Sequence, residues 1–510
     1  MVCSVDHLAS EAGVAMLRVG GSAADAAIAA NAVLAVTSQH MCGMGGDLFA
    51  LVHQPGDEAP AALNASGRAG SGADADRLRA EGRTVMPASM DIRAVPVPGC
   101  VDGWMALHER YGRVPIADVL EPARQLAENG FPPSPTLAAS APLIAQLRDG
   151  DDYRDIGALM RRPGVARALA DVARGGRAAF YEGEFGAGLL ALGGGEYTAA
   201  DLAHVNADWV EPVRADAWGR VLWTIPPNSQ GYLTLAGAWI AAGLDLPEDA
   251  DDPAWAHLTV EAARQAAFDR LDVLHEHADG AALVDPARLG PRRDAISRDA
   301  AAALGEPAAR AGGTMYLCAV DGDRMGVSLI QSNAAGFGCG LVVPGVRIFL
   351  QNRGLGFSLE PGHPAEYGPG RRPPHTLSPA LVTHPDGSLD RVIGTMGGDT
   401  QPQILLQLLA RQLHGRQSPG RSIAAGRWAL TNADGGGGFD TWRSRGRIAV
   451  RVEGQSPAAW DDGLRERGHT VQRAGDFEHG FGHAHVIVNE GDRLAGAADP
   501  RALVGSASGY

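Results

Sequence analysis

The spacing of apolar positions changes character near residue 314. Upstream the period is helical. Leu8, Val14 and Leu17 recur on one face and Gly20-Gly21 follow as a stop, which predicts a helix over residues 7–19. Residues 23–36 predict a second helix, so rich in alanine that another element can approach it closely. Residues 116–128 are amphipathic and stop before Gly130. Residues 254–275 carry the longest helical pattern, and 292–304 predict a helix leading into the linker GEPAARAGG. Downstream the period is two. Residues 315–320 and 325–331 flank Asp321-Gly322-Asp323 and predict a hairpin; 377–383 and 389–395 flank HPDG and predict another. Strands are also predicted over 48–53, 347–351, 448–452 and 484–489, with a helix over 403–413. Strand pairs with helices before and after them imply sheets covered by helices, a layered α/β or α+β domain.

Composition narrows the function classes. Of 510 residues, 45% are apolar and 20% charged, a globular balance. No run of 18 apolar residues predicts a membrane-spanning helix. A net charge of −15 argues against nucleic acid as a partner. All 44 cationic residues are arginine, so lysine Schiff bases, pyridoxal phosphate attachment and the lysine of a phosphate loop are excluded. Five cysteines without a CxxC pair fit buried, reduced thiols better than a disulfide framework. The opening MVCSVDHLASEAG lacks the basic and apolar regions of a secretory signal, and the cytoplasm is the expected compartment.

Several stock sites are missing: there is no GxSxG, no HExxH and no Walker loop. The glycines of MCGMGGD, residues 41–47, point to close backbone approach, with a phosphate cradle as the alternative. His479, His483 and His485 could converge on a metal, but no carboxylate or cysteine is spaced to complete the shell, and neither metal nor cofactor is expected. His275 and His277 read as a cationic helix end. Thr314 follows Gly312-Gly313 and opens a strand. By itself that is an ordinary threonine. A threonine hydroxyl needs a base beside it, however, and cutting the chain just before it makes its own α-amine that base. Such an amine has a pKa of about 7.7–8.0, suited to proton transfer at neutral pH. Gly313 offers no side chain to hinder attack on its carbonyl.

The chain resembles the γ-glutamyltranspeptidase family from end to end. Residues 8–49 resemble its N-terminal signature, PVPGCVDGW (96–104) its VPG segment and IPPNSQG (225–231) its PPxSxG segment. RRPPHTLSPALV (371–382) resembles the motif around its serine pair, MGGDTQPQ (396–403) its oxyanion-hole segment and ADPRALVGSASGY (498–510) its C-terminus. The resemblance implies an N-terminal-nucleophile hydrolase with an αββα sandwich. It also implies a proenzyme cut at Gly313–Thr314 into a large subunit, 1–313, and a small one, 314–510, with a homodimer of that unit left open. Thr314 matches the nucleophile and Ser332 the threonine that supports it. Gly397 and Gly398 match the backbone donors of the oxyanion hole. A mobile glycine pair in a turn is the plain alternative.

The departures concern the acyl donor. Members acting on γ-glutamyl groups usually carry NQMDDF, whose acid holds the donor's α-ammonium; here the segment is Asn352-Arg353-Gly354-Leu355-Gly356-Phe357. The paired serines are His375 and Thr376. The carboxylate-binding arginine has no clear match: Ser66 takes its register and Arg68 lies two residues on. Met315 stands where the family has a second threonine. Arg68, Asn333, Arg353, His375 and Thr376 are therefore the candidate substrate-binding residues. Arg353 fits either an anionic acyl group or a structural ion pair. The pattern around SLIQSN and QNRGLGFS resembles a branch that includes acylases and oxamate amidohydrolases. The expected activity is hydrolysis or transfer of the acyl group of a small amide through an acyl-enzyme, without nucleic acid or membrane as partner. A true γ-glutamyl hydrolase or transferase, an oxamate amidohydrolase and an uncleaved binding protein remain as alternatives.

Overall fold

The computed structural model describes residues 1–140, 158–302, 313–432 and 448–510. The linker GEPAARAGG lies outside the described residues except for Gly313. Two antiparallel sheets form the centre. The first has seven strands in the order Ser506–Ser508, Val2–Ser4, Gly313–Val320, Gly326–Ala334, Asp47–His53, Ala61–Ala65 and Asp208–Val210. The second has six, in the order Leu494–Ala498, Ala484–Asn489, Leu389–Thr395, Ala380–Thr383, Arg220–Thr224 and Val213–Ala217. Each sheet draws strands from both sides of residue 314.

Side chains alternate across a strand. Phe49, Leu51, Tyr316, Cys318 and Ile330 of the first sheet meet Trp223, Leu381, Val392 and Ile487 of the second. The intervening positions face outward but stay buried. Leu48, Ala50, Leu317 and Leu329 pack under the helices His7–Arg18, Ala23–Thr37 and Cys100–Tyr111. Ala380, Val382, Ile393 and Val486 pack under Tyr232–Ala242, Pro253–Ala267 and Gln401–Leu409. Both faces of each sheet are therefore apolar, and the four layers run helix, sheet, sheet, helix. The alanine-rich helix Ala23–Thr37 is buried along its whole length, as its composition implied. No described helix is long and apolar enough to cross a membrane. All five cysteines are buried and unpaired.

The hairpins around residues 321–325 and 384–388 form as expected. Some boundaries differ, each for a local reason. The pattern over 254–275 breaks at Asp269, which leaves helical geometry where Arg288 (2.9 Å) and Arg292 (2.6 Å) hold its carboxylate. His275 and His277 thus lie beyond the helix Arg270–Val273 rather than at a long helix's end. Residues 303–304 of the helix expected over 292–304 lie outside the described residues; the described part is helical only to Asp294, in a helix Pro286–Asp294 set by the Asp285 cap on Ala287 N–H and by proline in the first turn. Strand pairing over 377–383 is confined to Ala380–Thr383, after Pro379, which has no N–H to donate. Only Ile348–Phe349 pair within 347–351.

His485 sits in the strand Ala484–Asn489, fully buried, with its ring stacked on Tyr316 and neither ring nitrogen hydrogen-bonded. Burial pushes its pKa down to about 4. The unfolded chain takes up this proton first, so the residue's contribution to stability is complete above pH 6.5 and is lost as pH falls towards 4. At about 1.36 kcal/mol per unit, acidification from pH 7 to 5 costs about 2 kcal/mol through this group. His485→Phe keeps a ring of similar shape and removes the titration. Thermal unfolding of the variant is expected to shift less between pH 7 and 5 than that of the wild type; an equal shift would contradict this account.

Candidate active site

Thr314 opens the strand Gly313–Val320, and Ser332 lies near the end of its partner Gly326–Ala334. Gly313 pairs with Ala334 and Met315 with Gln331, so the register shifts at the threonine. Both side chains are fully buried. The Thr314 hydroxyl donates to Ser332 Oγ at 3.2 Å. Ser332 Oγ also accepts from the Ala334 N–H at 2.7 Å and from Arg353 Nη2 at 3.2 Å. Arg353 Nη1 donates to Thr376 Oγ1 at 2.9 Å. One guanidinium therefore bridges Ser332 and Thr376, two residues expected at the site from separate motifs. Arg353 is 1% exposed. Burial lowers its pKa to about 10, against the opposing pull of Asp47 and Asp399, so it is charged at neutral pH. A cation beside Ser332 lowers the cost of negative charge developing on the neighbouring threonine oxygen.

The glycines of residues 41–47 serve close approach. A Cβ at Gly46 would stand 2.2 Å from the Ser332 carbonyl oxygen, and one at Gly45 2.1 Å from that of Phe349. They deliver Asp47 into register opposite Ser332. Its Oδ1 accepts from Gly67 N–H and Gln351 Nε2, each at 2.8 Å, and its Oδ2 lies 3.1 Å from His375 Nε2. His375 Nδ1 accepts from Leu377 N–H at 3.2 Å, so the ring's proton sits on Nε2 and is donated to Asp47. Burial first, then the charge of Arg353, hold the His375 pKa near 3, so the ring is neutral.

Gly397 and Gly398 form the turn after the strand Leu389–Thr395. Gly397 has φ +142°, and a Cβ there would lie 2.5 Å from Thr400 Oγ1, so only glycine fits. Neither N–H donates to an acceptor among the described residues. Gln230 ties this turn to the bridge: its Nε2 donates to Gly398 O at 2.9 Å and to Thr376 O at 3.1 Å. Arg270 Nε donates to Gln230 Oε1 at 3.0 Å, and its Nη2 pairs with Asp399 at 3.2 Å. A continuous hydrogen-bonded line thus runs from Thr314 through Ser332, Arg353, Thr376 and Gln230 to Gly398. Two N–H groups without an acceptor among the described residues, tied through this line to a buried threonine hydroxyl, are groups of the kind that acyl transfer uses.

Other candidates lie elsewhere. Arg68 pairs with Asp208 (3.3 Å) and Glu276 (3.6 Å), and among the described residues it makes no hydrogen bond or ion pair to the line. Ser66 bonds Asn64 at 2.7 Å. Asn333 is buried, with neither side-chain amide atom hydrogen-bonded, on a cavity of about 10 Å³ lined by Gln39, Gly43 and Phe349. Of the histidine triad, the rings of His479 and His483 meet edge to face at 4.5 Å, while among the described residues the ligand atoms that gather within 4.8 Å are those of His257, Glu261 and His469. Asp47, Gln230, Arg270 and Asp399 were not singled out from sequence, although all but Arg270 sit inside segments that carry the resemblance.

The family profile described as Gamma-glutamyltranspeptidase matches residues 9–509. The oxamate amidohydrolase proenzyme of Klebsiella pneumoniae is 35% identical, over 100% of this chain and 98% of its own. The glutathione hydrolase-like YwrD proenzyme of Bacillus subtilis is 34% identical, over 98% and 97%. The crystal structure of cephalosporin acylase from Bacillus halodurans superposes with a TM-score of 0.89 at 31% identity, covering 100% of this chain and 96% of that one. The four-layer sandwich, the buried threonine at a strand start and the full-length match together place this chain in the gamma-glutamyltranspeptidase family, as an enzyme of the N-terminal-nucleophile hydrolase type.

Proposed function

We propose that Thr314 is the nucleophile of a self-processing amidohydrolase or acyltransferase, and that the chain is cut at Gly313–Thr314 into subunits 1–313 and 314–510. The observation that carries this reading is the Thr314–Ser332 hydrogen bond. In processing, Thr314 Oγ attacks the Gly313 carbonyl carbon. The C–N bond breaks, an ester to Thr314 Oγ forms, and the nitrogen takes the hydroxyl proton. Water then hydrolyses the ester, leaving a Gly313 carboxylate and a free threonine amine. In turnover that amine takes the hydroxyl proton as Oγ attacks a substrate amide, and the N–H groups of Gly397 and Gly398 receive the oxyanion. The leaving amine departs with the proton, and water or an amine acceptor resolves the acyl-enzyme. His375, neutral and committed to Asp47, is not the base.

The acyl group is proposed to be that of an acid without an α-ammonium, such as an oxalyl or glutaryl amide. The segment that would supply an ammonium-binding acid instead supplies Arg353, charged and adjacent to Ser332. Its field favours an anionic acyl group and disfavours a cation. Relatives named oxamate amidohydrolase and acylase support this reading. A γ-glutamyl donor is the second reading, favoured by the carboxylates of Asp47 and Asp399, which act on Arg353.

Scaling 52.9 kDa by 313 and 197 residues of 510 gives pieces of about 32 and 20 kDa. Denaturing electrophoresis of purified protein should resolve both, with Thr314→Ala leaving one band; a wild type that stays intact on long incubation contradicts the mechanism. The acidic limb of the rate profile should follow an amine pKa of about 7–8, lowered if the site is dry, and should persist in His375→Gln. A limb that vanishes with His375 would make that residue the base. In a panel of small anilides, glutaryl and oxalyl compounds are expected to exceed γ-glutamyl ones in kcat/KM; the reverse order favours the second reading. Arg353→Gln removes two charge-assisted hydrogen bonds and is expected to cost about 1.5–3 kcal/mol of stability for each, measured by denaturant unfolding. No loss would mean that the guanidinium does not bridge Ser332 and Thr376.

A further inference from the structure

The two peptide units that carry the free N–H groups are both fixed from behind. In a trans peptide the C=O and N–H point in opposite directions, so whatever holds the carbonyl aims the N–H. The Gly398 N–H belongs to the unit whose carbonyl is Gly397 O. That oxygen accepts from Thr400 Oγ1 at 2.8 Å and from Thr400 N–H at 3.1 Å. The Gly397 N–H belongs to the unit whose carbonyl is Met396 O, which accepts from Thr395 Oγ1 at 2.8 Å. Thr395 is fully buried and Thr400 is 7% exposed. Each of these two N–H groups therefore has a threonine hydroxyl on the far end of its own peptide plane.

We propose that Thr395 and Thr400 are the positioning residues of the oxyanion hole, each orienting one donor N–H by holding the carbonyl of the same peptide unit. The inference rests on the proposed role of Gly397 and Gly398 and goes further, because neither threonine touches substrate. Glycine makes the brace necessary. Gly397, at φ +142°, and Gly398, at φ +59°, occupy conformations that glycine visits freely, so their own torsions do not hold the planes. Packing adds to the restraint. A Cβ at Gly482 would stand 2.6 Å from both Met396 O and Thr395 Oγ1, so the loop at Gly482 closes over the first brace. The hydroxyls also act electrostatically. A carbonyl that accepts a hydrogen bond polarises its peptide and strengthens the N–H at the other end. Gln230 and the Arg270–Asp399 pair hold the following peptide through Gly398 O and fix the turn's exit, leaving the two donor planes to the threonines.

The test uses processed protein, confirmed to begin at Thr314, with four variants: Thr395→Val, Thr400→Val, Thr395→Ser and Thr400→Ser. Valine keeps the side chain's shape without the hydroxyl, and serine keeps the hydroxyl. Removing one oxyanion donor outright costs about 10²–10³ in kcat, so loosening one is expected to lower kcat about tenfold on a glutaryl anilide. KM should stay within about twofold, because the ground-state carbonyl gains little from these donors. Each serine variant should restore kcat. Crystal structures of the valine variants should show the 396–397 or 397–398 peptide rotated from its wild-type orientation. Unchanged kcat with unrotated peptides, or serine variants as impaired as the valine ones, would overturn the proposal. Should processed wild type hydrolyse no amide in the panel, the proposed function fails, and the peptide orientation in the valine crystals still decides the brace.

Discussion

Tyr316 places its ring where a side chain at residue 394 would otherwise stand. A Cβ on Gly394 would meet the ring's Cε2 at 2.1 Å. At this point a residue of one sheet occupies side-chain space of the other, and the contact couples the two halves of the proposed site. Tyr316 lies two residues after Thr314 on the first sheet, and Gly394 lies three before Gly397 on the second. Any side chain at 394 would push the sheets apart and carry the glycine turn away from the threonine. The buried faces around this contact, with Phe49, Ile330, Leu381 and Val392, hold that spacing from all sides. A packed interior yields little to such a change. The spacing of Thr314 and the glycine turn is thus a property of the sheet-on-sheet interface more than of any one loop.

On that frame the polar line from Thr314 to Gly398 acts as a second, directional restraint. It crosses from one sheet to the other through a single guanidinium. Burying a charge is costly unless it is hydrogen-bonded and compensated. Arg353 has hydroxyl acceptors at both Nη atoms and the carboxylates of Asp47 and Asp399 in its field. Breaking one link leaves other buried groups unsatisfied, so the line is expected to respond as a unit. Asp47 shows the same economy: its oxygens fix a backbone loop, an amide and the neutral His375.

Much of the sandwich could be read from the sequence, because local alternation and turn signals mark the hairpins on either side of residues 321–325 and 384–388. The glycine cluster at 41–47 was likewise legible as close backbone approach. The unread parts depend on contacts between distant segments. Asp47 and His375 are 328 residues apart, and no local pattern pairs them. The helix break at Asp269 follows from ion pairs with Arg288 and Arg292 that form only on folding. The three-residue strands Val2–Ser4 and Ser506–Ser508 are too short to carry a period, yet they complete one edge of the first sheet. Thr314 and Ser332 were found through the family resemblance, and their hydroxyls lie 3.2 Å apart. The same resemblance named Gly397 and Gly398 but not Thr395 or Thr400, since a residue that acts on its neighbour's carbonyl leaves no signature in residue type alone.

The account rests on Thr314 Oγ forming a covalent acyl-enzyme. The direct measurement is mass spectrometry of the small subunit after rapid acid quench during turnover of a glutaryl anilide. The account predicts a population heavier by one glutaryl group, with peptide mapping placing the group on the oxygen of an N-terminal Thr314 and none on Thr314→Ala. An acyl group found on another residue, or turnover by a chain whose Thr314 is still joined to Gly313, would contradict it.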